Sequence, residues 1–256
     1  MSTDRAAPSR SAHTAVVWDV LGGVLSTGGS AGSGHGGGLD VVDVGGGTGG
    51  FAVPLAGQGH RVTVVDPSPD ALASLQRRAR EAGVEVHAVQ GDAAGLLDVV
   101  GPASADLVLC HGVLEHVDDV APAVLALVQV LRPGGTLSVL VASRNAVVLA
   151  RAVAGHFAEA RHALQDPDGR WGPGDPLPRR FTEAGLLSVL DDAGLRVGAV
   201  HGIRTVADLV APAGGVQRGD PEHGAAQSLV DLERVTAEMP EFRALATQLH
   251  VLATRT

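Results

Sequence analysis

Residues 39–50, LDVVDVGGGTGG, constrain the chain more than any other stretch. A Val-rich apolar run reads as a strand buried on both faces, as in a parallel sheet. The run breaks into Gly45, Gly46, Gly47, Gly49 and Gly50, and a helix can start directly behind them. Glycine takes up backbone angles barred to other residues and lets a ligand approach the main chain closely. The helix N-terminus that follows offers unpaired N–H groups to polar or anionic atoms. This is the crevice in which an α/β sheet holds a nucleotide-like cofactor. The turn alone does not choose the cofactor. Gly45-x-Gly47-x-x-Gly50 fits a dinucleotide fingerprint, while the overlapping Asp43-x-Gly45-x-Gly47-x-Gly49 fits a different loop.

Downstream, strands and helices alternate. Residues 61–65 (RVTVV) form a second strand that ends at Asp66, 17 positions after Gly49. An acid there either accepts both ribose hydroxyls of a cofactor or caps the helix that starts near Pro69. A helix over 70–82 ends at Gly83, and a strand over 84–89 leads to Gly91-Asp92-Ala93. Asp92 and Ala93 either hold the edge of an adenine or form a plain acidic turn. A fourth strand, 105–110, precedes His111. A helix over 120–131 is stopped by Arg132-Pro133-Gly134-Gly135, and 136–142 is a fifth strand. Five alternations imply a parallel, doubly wound sheet.

The remainder reads as additions to that sheet. A helix over 12–25 carries Trp18, and 28–38 is a Gly/Ser-rich linker by composition. Beyond the fifth strand come a helix over 145–163 and a Pro-, Gly- and Arg-rich loop over 165–180, long enough to be functional. A helix opened by Thr182, a strand over 195–204, a helix over 225–238 and a final strand over 248–254 complete the chain. The expected organisation is residues 1–38 as helix and linker, and 39–256 as one domain with lid segments near 145–180 and 205–240.

A net charge of −9 argues against a broad nucleic-acid surface, though not against a local basic patch. The lone Cys110 excludes an internal disulfide and a cysteine zinc cluster, so no metal is expected. No apolar run reaches membrane-spanning length, and the first ten residues lack a signal-peptide core. A soluble, cytoplasmic protein is expected.

Taken together, these motifs resemble the class I S-adenosylmethionine (AdoMet) methyltransferases. The Asp43-x-Gly45-x-Gly47-x-Gly49 loop, Asp66, Gly91-Asp92-Ala93, the segment after His111 and Leu131-Arg132-Pro133-Gly134-Gly135 follow in that family's order. The resemblance implies a Rossmann-like, seven-stranded doubly wound sheet with six parallel strands and the last one antiparallel. It implies AdoMet as cofactor, held by Gly45, Gly46, Gly47, Gly49, Asp66, Asp92, Ala93 and His111. The second half, with Asn145, His156-Phe157, Gly202-Ile203-Arg204 and residues 229–234, is similar to the bacterial tRNA 5-carboxymethoxyuridine carboxyl methyltransferases. That likeness implies methyl-ester formation on a tRNA wobble-uridine carboxylate or, where it fails, on a small carboxylate metabolite. Two positions depart from it. The basic cluster of the loop thins to Arg170, Arg179 and Arg180, and His13 stands where the family places an arginine near the AdoMet carboxylate. The alternatives are a nicotinamide-dependent oxidoreductase and a non-catalytic AdoMet-binding protein.

No general base stands out, and a carboxylate acceptor, already ionised, needs none. His111 either lines the cofactor pocket, moves a proton or is a buried structural histidine. Glu115 and His116 read as helix-start or surface residues. Arg161, Arg170, Arg179, Arg180 and Arg204 either bind the acceptor's anionic groups or balance surface acids. Trp171 either stacks on a base or plugs the lid.

Overall fold

The computed structural model describes residues 12–27, 37–209 and 222–256. Its centre is one seven-stranded sheet in the order β3-β2-β1-β4-β5-β7-β6. The strands are β1 (Asp40–Val44), β2 (Arg61–Asp66), β3 (His87–Gln90), β4 (Ala105–His111), β5 (Leu131–Ala142), β6 (Leu195–Ile203) and β7 (Gln248–Arg255). Strands β1 to β5 pair in parallel. The last strand, β7, slots antiparallel between β5 and β6. Six parallel strands and one antiparallel strand are therefore present, as the family resemblance implied.

Helices cover both faces. One face carries α1 (Ala12–Thr27), α2 (Ala52–Gly57), α3 (Pro69–Ala82) and α9 (Glu222–Ala237). Their core includes Val17, Leu21, Leu55 and Leu75, each with no exposed surface, together with Leu107 and Leu109 of β4. The other face carries α4 (Leu96–Val100), α5 (Val120–Val130) and α8 (Glu183–Asp192), which bury Leu96, Leu127 and Leu186 against Val108 and Val139. Removing this apolar surface from water is the main stabilising term, at about 25 cal/mol per Å². The first helix is thus part of the sheet's own core; the linker residues 28–36 lie outside the described residues.

Local chemistry sets the ends. Ser68 Oγ accepts from the Ala71 N–H at 3.2 Å and Pro69 opens α3, while Gly83, at φ 68°, closes it. Thr182 Oγ1 accepts from the Gly185 N–H at 3.1 Å to open α8.

Several boundaries depart from the sequence expectation. The helix expected over 145–163 is two helices, α6 (Arg144–Val153) and α7 (Phe157–Gln165), because Gly155 sits at φ 81° and breaks the ladder between them. Strand β3 starts at His87 rather than Val84, and α4 was not foreseen. Arg132 does more than end a helix. Its guanidinium donates to Asp106 Oδ1 at 2.7 Å and to Asp40 Oδ2 at 2.8 Å, tying β1, β4 and β5 together at their N-terminal ends. After β6, Glu233 of α9 is fully buried and accepts from the N–H groups of Thr205, Val206 and Ala207 at 2.6–3.0 Å. That contact docks α9 on the sheet. A short helix, α10 (Pro240–Arg243), leads into β7.

Candidate functional site

Beyond the C-terminal ends of β1, β2 and β4, at the point where the strand order reverses, lies a cavity of about 630 Å³. Its volume suits a nucleotide-sized ligand. Three segments supply most of its wall: Gly45, Asp66 and Pro67, then Asp92, Ala93 and Ala94, then Gly112 and Val113 with His116 to Asp119.

The glycine turn shapes the first of these. Gly45, Gly47 and Gly49 have φ of 70°, 53° and 81°. A Cβ at Gly45 would stand 2.4 Å from Val113 Cγ2, and one at Gly49 2.3 Å from Leu75 Cδ1. The backbone conformation therefore favours glycine, and any side chain here would also displace the tips of Val113 and Leu75. At Gly46 a Cβ would meet Asp43 Oδ2 at 2.6 Å, so the Asp43 carboxyl lies directly beneath the turn. Asp43 is 3% exposed and its Oδ2 has no hydrogen-bond partner. Burial, reinforced by the charge of Asp66, pushes its carboxyl up to about 7.

Asp66 ends β2 as expected. Its Oδ2 accepts from the Gly47 N–H at 2.9 Å and its Oδ1 from the Ser68 N–H at 2.9 Å. The same carboxylate therefore braces the glycine turn and the start of α3, while facing the cavity. Ser68 Oγ, not Asp66, makes the side-chain cap of α3. Asp92 Oδ1 accepts from the N–H groups of Ala94 and Gly95 at 3.0 and 2.9 Å. The turn so formed holds the carboxyl at the cavity wall.

Four acidic residues, Asp66, Asp92, Asp118 and Asp119, thus line one cavity, and no arginine is among the described residues lining it. That field favours a cationic ligand and opposes a pyrophosphate. AdoMet carries a fixed sulfonium cation, so the residues present fit it. A nicotinamide dinucleotide would place two negative charges against four more. Electrostatics, more than glycine spacing, separates the two cofactors.

The comparisons with known proteins agree. Residues 42–139 match the family model described as "Methyltransferase domain". Over 220 residues, 84% of this chain and 79% of the relative, it is 28% identical to tRNA 5-carboxymethoxyuridine methyltransferase of Escherichia coli. The chain belongs to the AdoMet-dependent methyltransferases. Over 168 residues, 65% of this chain and 62% of the relative, it is 36% identical to a ubiquinone biosynthesis O-methyltransferase of Azorhizobium caulinodans. Among solved structures, magnesium protoporphyrin IX methyltransferase from Synechocystis PCC 6803, solved with bound SAH, has a TM-score of 0.61. It is 18% identical, covering 96% of this chain and 84% of that one, a likeness of fold.

Within this methyltransferase, Gly45, Asp66, Asp92 and Ala93 come together at the cavity. Gly46, Gly47 and Gly49 form the turn beside it. His111 does not line it. Its ring packs edge-on to Phe51, with centroids 4.9 Å apart, and Phe51 packs on Trp18 of α1, on the other face of the sheet from the cavity's apolar wall. His111 Nε2 is 2.8 Å from Ser138 Oγ, which is 2.8 Å from His250 Nε2. The single hydroxyl proton serves at most one of the two contacts, so at least one imidazole donates to the serine. Burial drives the His111 ring down to about 3 and lowers His250 well below the usual histidine range. Both rings are neutral at physiological pH. The side chain of His13 lies outside the described residues.

Glu115 corrects the expectation of a surface residue. It is 2% exposed, its Oε1 accepts from the Ala142 N–H at 2.6 Å, and burial raises its carboxyl above the usual range. The expected basic group is largely engaged. Arg180 forms a bidentate pair with Asp175 at 2.6 and 2.9 Å. Arg204 pairs with Asp208 at 2.7 Å. Arg179 donates to Asp168 and to backbone carbonyls. Arg161 and Arg170 are exposed. Trp171 carries the Arg151 guanidinium 3.8 Å over its ring. No sequence signal marked Glu115, Ser138 or His250, because each owes its role to a partner on another element.

Among the described residues no group of acids, histidines and cysteine has metal-ligand geometry. Among the described residues no helix is long and apolar enough to cross a membrane.

Proposed function

We propose that this methyltransferase esterifies a carboxylate, and that the acceptor is the carboxylate of a tRNA wobble uridine. The extent of the similarity carries the acceptor. The likeness to the tRNA 5-carboxymethoxyuridine methyltransferase covers 84% of the chain, against 38–65% for the ubiquinone-pathway relatives. It therefore runs through the second half, where acceptors are chosen, as well as the cofactor half.

AdoMet supplies a methyl group already activated for transfer. The chain's own task is to seat the cofactor and align the acceptor. Gly45, Gly46, Gly47 and Gly49 give the turn its close approach, Asp66 receives the ribose hydroxyls, and Asp92 with Ala93 takes the adenine edge. His111 braces the end of β4 from behind. A carboxylate is ionised at neutral pH and asks for no proton transfer, in keeping with a neutral His111 turned toward Phe51 and Ser138. In this reading residues 39–256 are one catalytic unit with 145–180 as its lid.

The internal pairing of Arg179, Arg180 and Arg204 favours a second acceptor, a small carboxylate metabolite that needs no broad basic surface. Methyl-labelled AdoMet offered with tRNA bearing 5-carboxymethoxyuridine, and separately with small carboxylic acids, distinguishes them. The expected result is label on the tRNA nucleoside that mild alkali removes as methanol. Label on small acids alone replaces the tRNA with the second reading. AdoMet binding without transfer to either overturns the carboxylate reading.

A further inference from the structure

The arginine that the sequence offers as an acceptor ligand, Arg179, faces inward. Its side chain is 20% exposed and its guanidinium is divided between two segments. Nε donates to Asp168 Oδ1 at 3.0 Å, within the loop. Nη1 donates to the carbonyls of Val117 at 2.8 Å and Leu114 at 3.3 Å, and Nη2 to that of Asp118 at 3.4 Å. Val117 and Asp118 line the cofactor cavity, together with Val113, His116 and Asp119 of the same segment. Only a planar fork of five donors collects carbonyls in this way; a lysine ammonium does not reproduce it.

The loop is fastened on its far side as well. The Phe181 N–H donates to the Ala142 carbonyl and the Arg144 N–H to the Phe181 carbonyl, each at 2.9 Å, so residues 180–181 continue from the end of β5. The Arg180 N–H donates to the Asp168 carbonyl at 2.8 Å. The Arg179 side chain therefore links one wall of the cavity to the 166–181 loop through hydrogen bonds to both.

We propose that Arg179 is a positioning residue that couples cofactor binding to the order of the 166–181 loop. It holds the carbonyls of 114, 117 and 118 so that the acidic wall faces the cavity, and a cofactor that settles that wall settles the loop. By linkage the loop's order returns the same factor to cofactor affinity. The inference rests on the cavity being the AdoMet site.

Hydrogen exchange of the full chain with and without AdoMet tests it, read beside calorimetric AdoMet binding. In the wild type, AdoMet is expected to slow exchange in the glycine turn, in 113–119 and in 166–181. In Arg179→Met, which keeps the stem and loses the donors, protection of the turn stays and that of 166–181 disappears. AdoMet affinity falls by about 5- to 20-fold, toward the lower end of typical coupling. Arg179→Lys is expected to behave like Arg179→Met, since charge alone does not gather three carbonyls. Protection of the turn without protection of 166–181 in the wild type overturns the coupling and leaves the cofactor site standing. A wild-type chain that binds no AdoMet overturns both. Should Arg179→Met fail to fold, Arg179→Lys decides: protection of 166–181 retained in either variant, with AdoMet affinity unchanged, overturns the role of Arg179.

Discussion

The acid-lined cavity and the arginine-rich loop that closes beside it handle charge in opposite ways. In the cavity, Asp66 and Asp92 are braced by backbone N–H groups yet stay at the wall, and Asp118 and Asp119 join them there. In the loop, Arg179 and Arg180 are held by protein partners, and the Asp175 carboxyl opposite Arg180 has no exposed side-chain surface. The cavity acids keep only backbone N–H partners at an open wall, whereas the Arg179 and Arg180 guanidinium groups are turned into structure. A charged residue in a functional-looking segment thus says little until its partners are known, because the same fork that would grip a phosphate also grips a carbonyl.

The largest loss of stability that would break this contrast is expected at Arg180. Burial opposes ionisation of Asp175, but the Arg180 guanidinium and the Trp171 and Leu177 N–H groups outweigh it and hold the carboxyl below its usual range. Removing the guanidinium leaves the Asp175 charge with two backbone N–H partners and no cation, so Arg180→Ala should destabilise by roughly 1–3 kcal/mol in chemical unfolding. A variant as stable as the parent, with impaired acceptor binding, would return Arg180 to the acceptor. Next comes Asp66→Ala. A charged hydrogen bond contributes about 1.5–3 kcal/mol, so losing even one to the proposed ribose should weaken AdoMet binding by about 10- to 150-fold in calorimetry. Unchanged affinity would remove Asp66 from the cofactor site.

Much of the cavity half was legible because its determinants are local. Apolar runs, a glycine turn, the Asp66 that ends β2 and the Ser68 cap lie within a few residues of what they organise. The Ser138–His250 contact joins residues 112 apart, and Arg132 reaches Asp40 across 92. Neither pairing leaves a trace in periodicity. His111 shows the limit from another side. Its place after β4 was foreseen, but whether its ring points to the cavity or to Phe51 depends on packing across the sheet. The helix over 145–163 was misread because its apolar spacing continues through Gly155, where the chain turns.

The buried Asp43 sharpens the comparison through pH. Its folded carboxyl lies at about 7, above the ordinary value. The folded state therefore binds more protons than the unfolded chain between about pH 4 and 7, and this group's contribution to stability falls as pH rises through that window. Above 7 the loss is complete, on the order of 2–4 kcal/mol. His111 and His250, with lowered values, act in the opposite direction as pH falls, so the isolated term comes from a difference. Asp43→Asn should gain on the wild type between pH 5 and pH 8 in parallel denaturant melts. A pH-independent difference would mean that Asp43 stays ionised with a partner beneath the turn.

The smallest effect is expected at Arg170, and it bears most directly on what the loop is for. Its side chain is exposed and sits beside a pair that is not. Surface substitutions of this kind change stability by about 0.5 kcal/mol or less, so Arg170→Ala should melt with the parent. If the acceptor is a tRNA, Arg170 touches phosphate, and its removal weakens binding modestly while lowering the salt dependence by about one counterion. If the acceptor is a small carboxylate metabolite, the acceptor KM does not move. A titration of the acceptor KM against salt, in parent and variant, therefore asks whether any charge in this loop is left for a ligand.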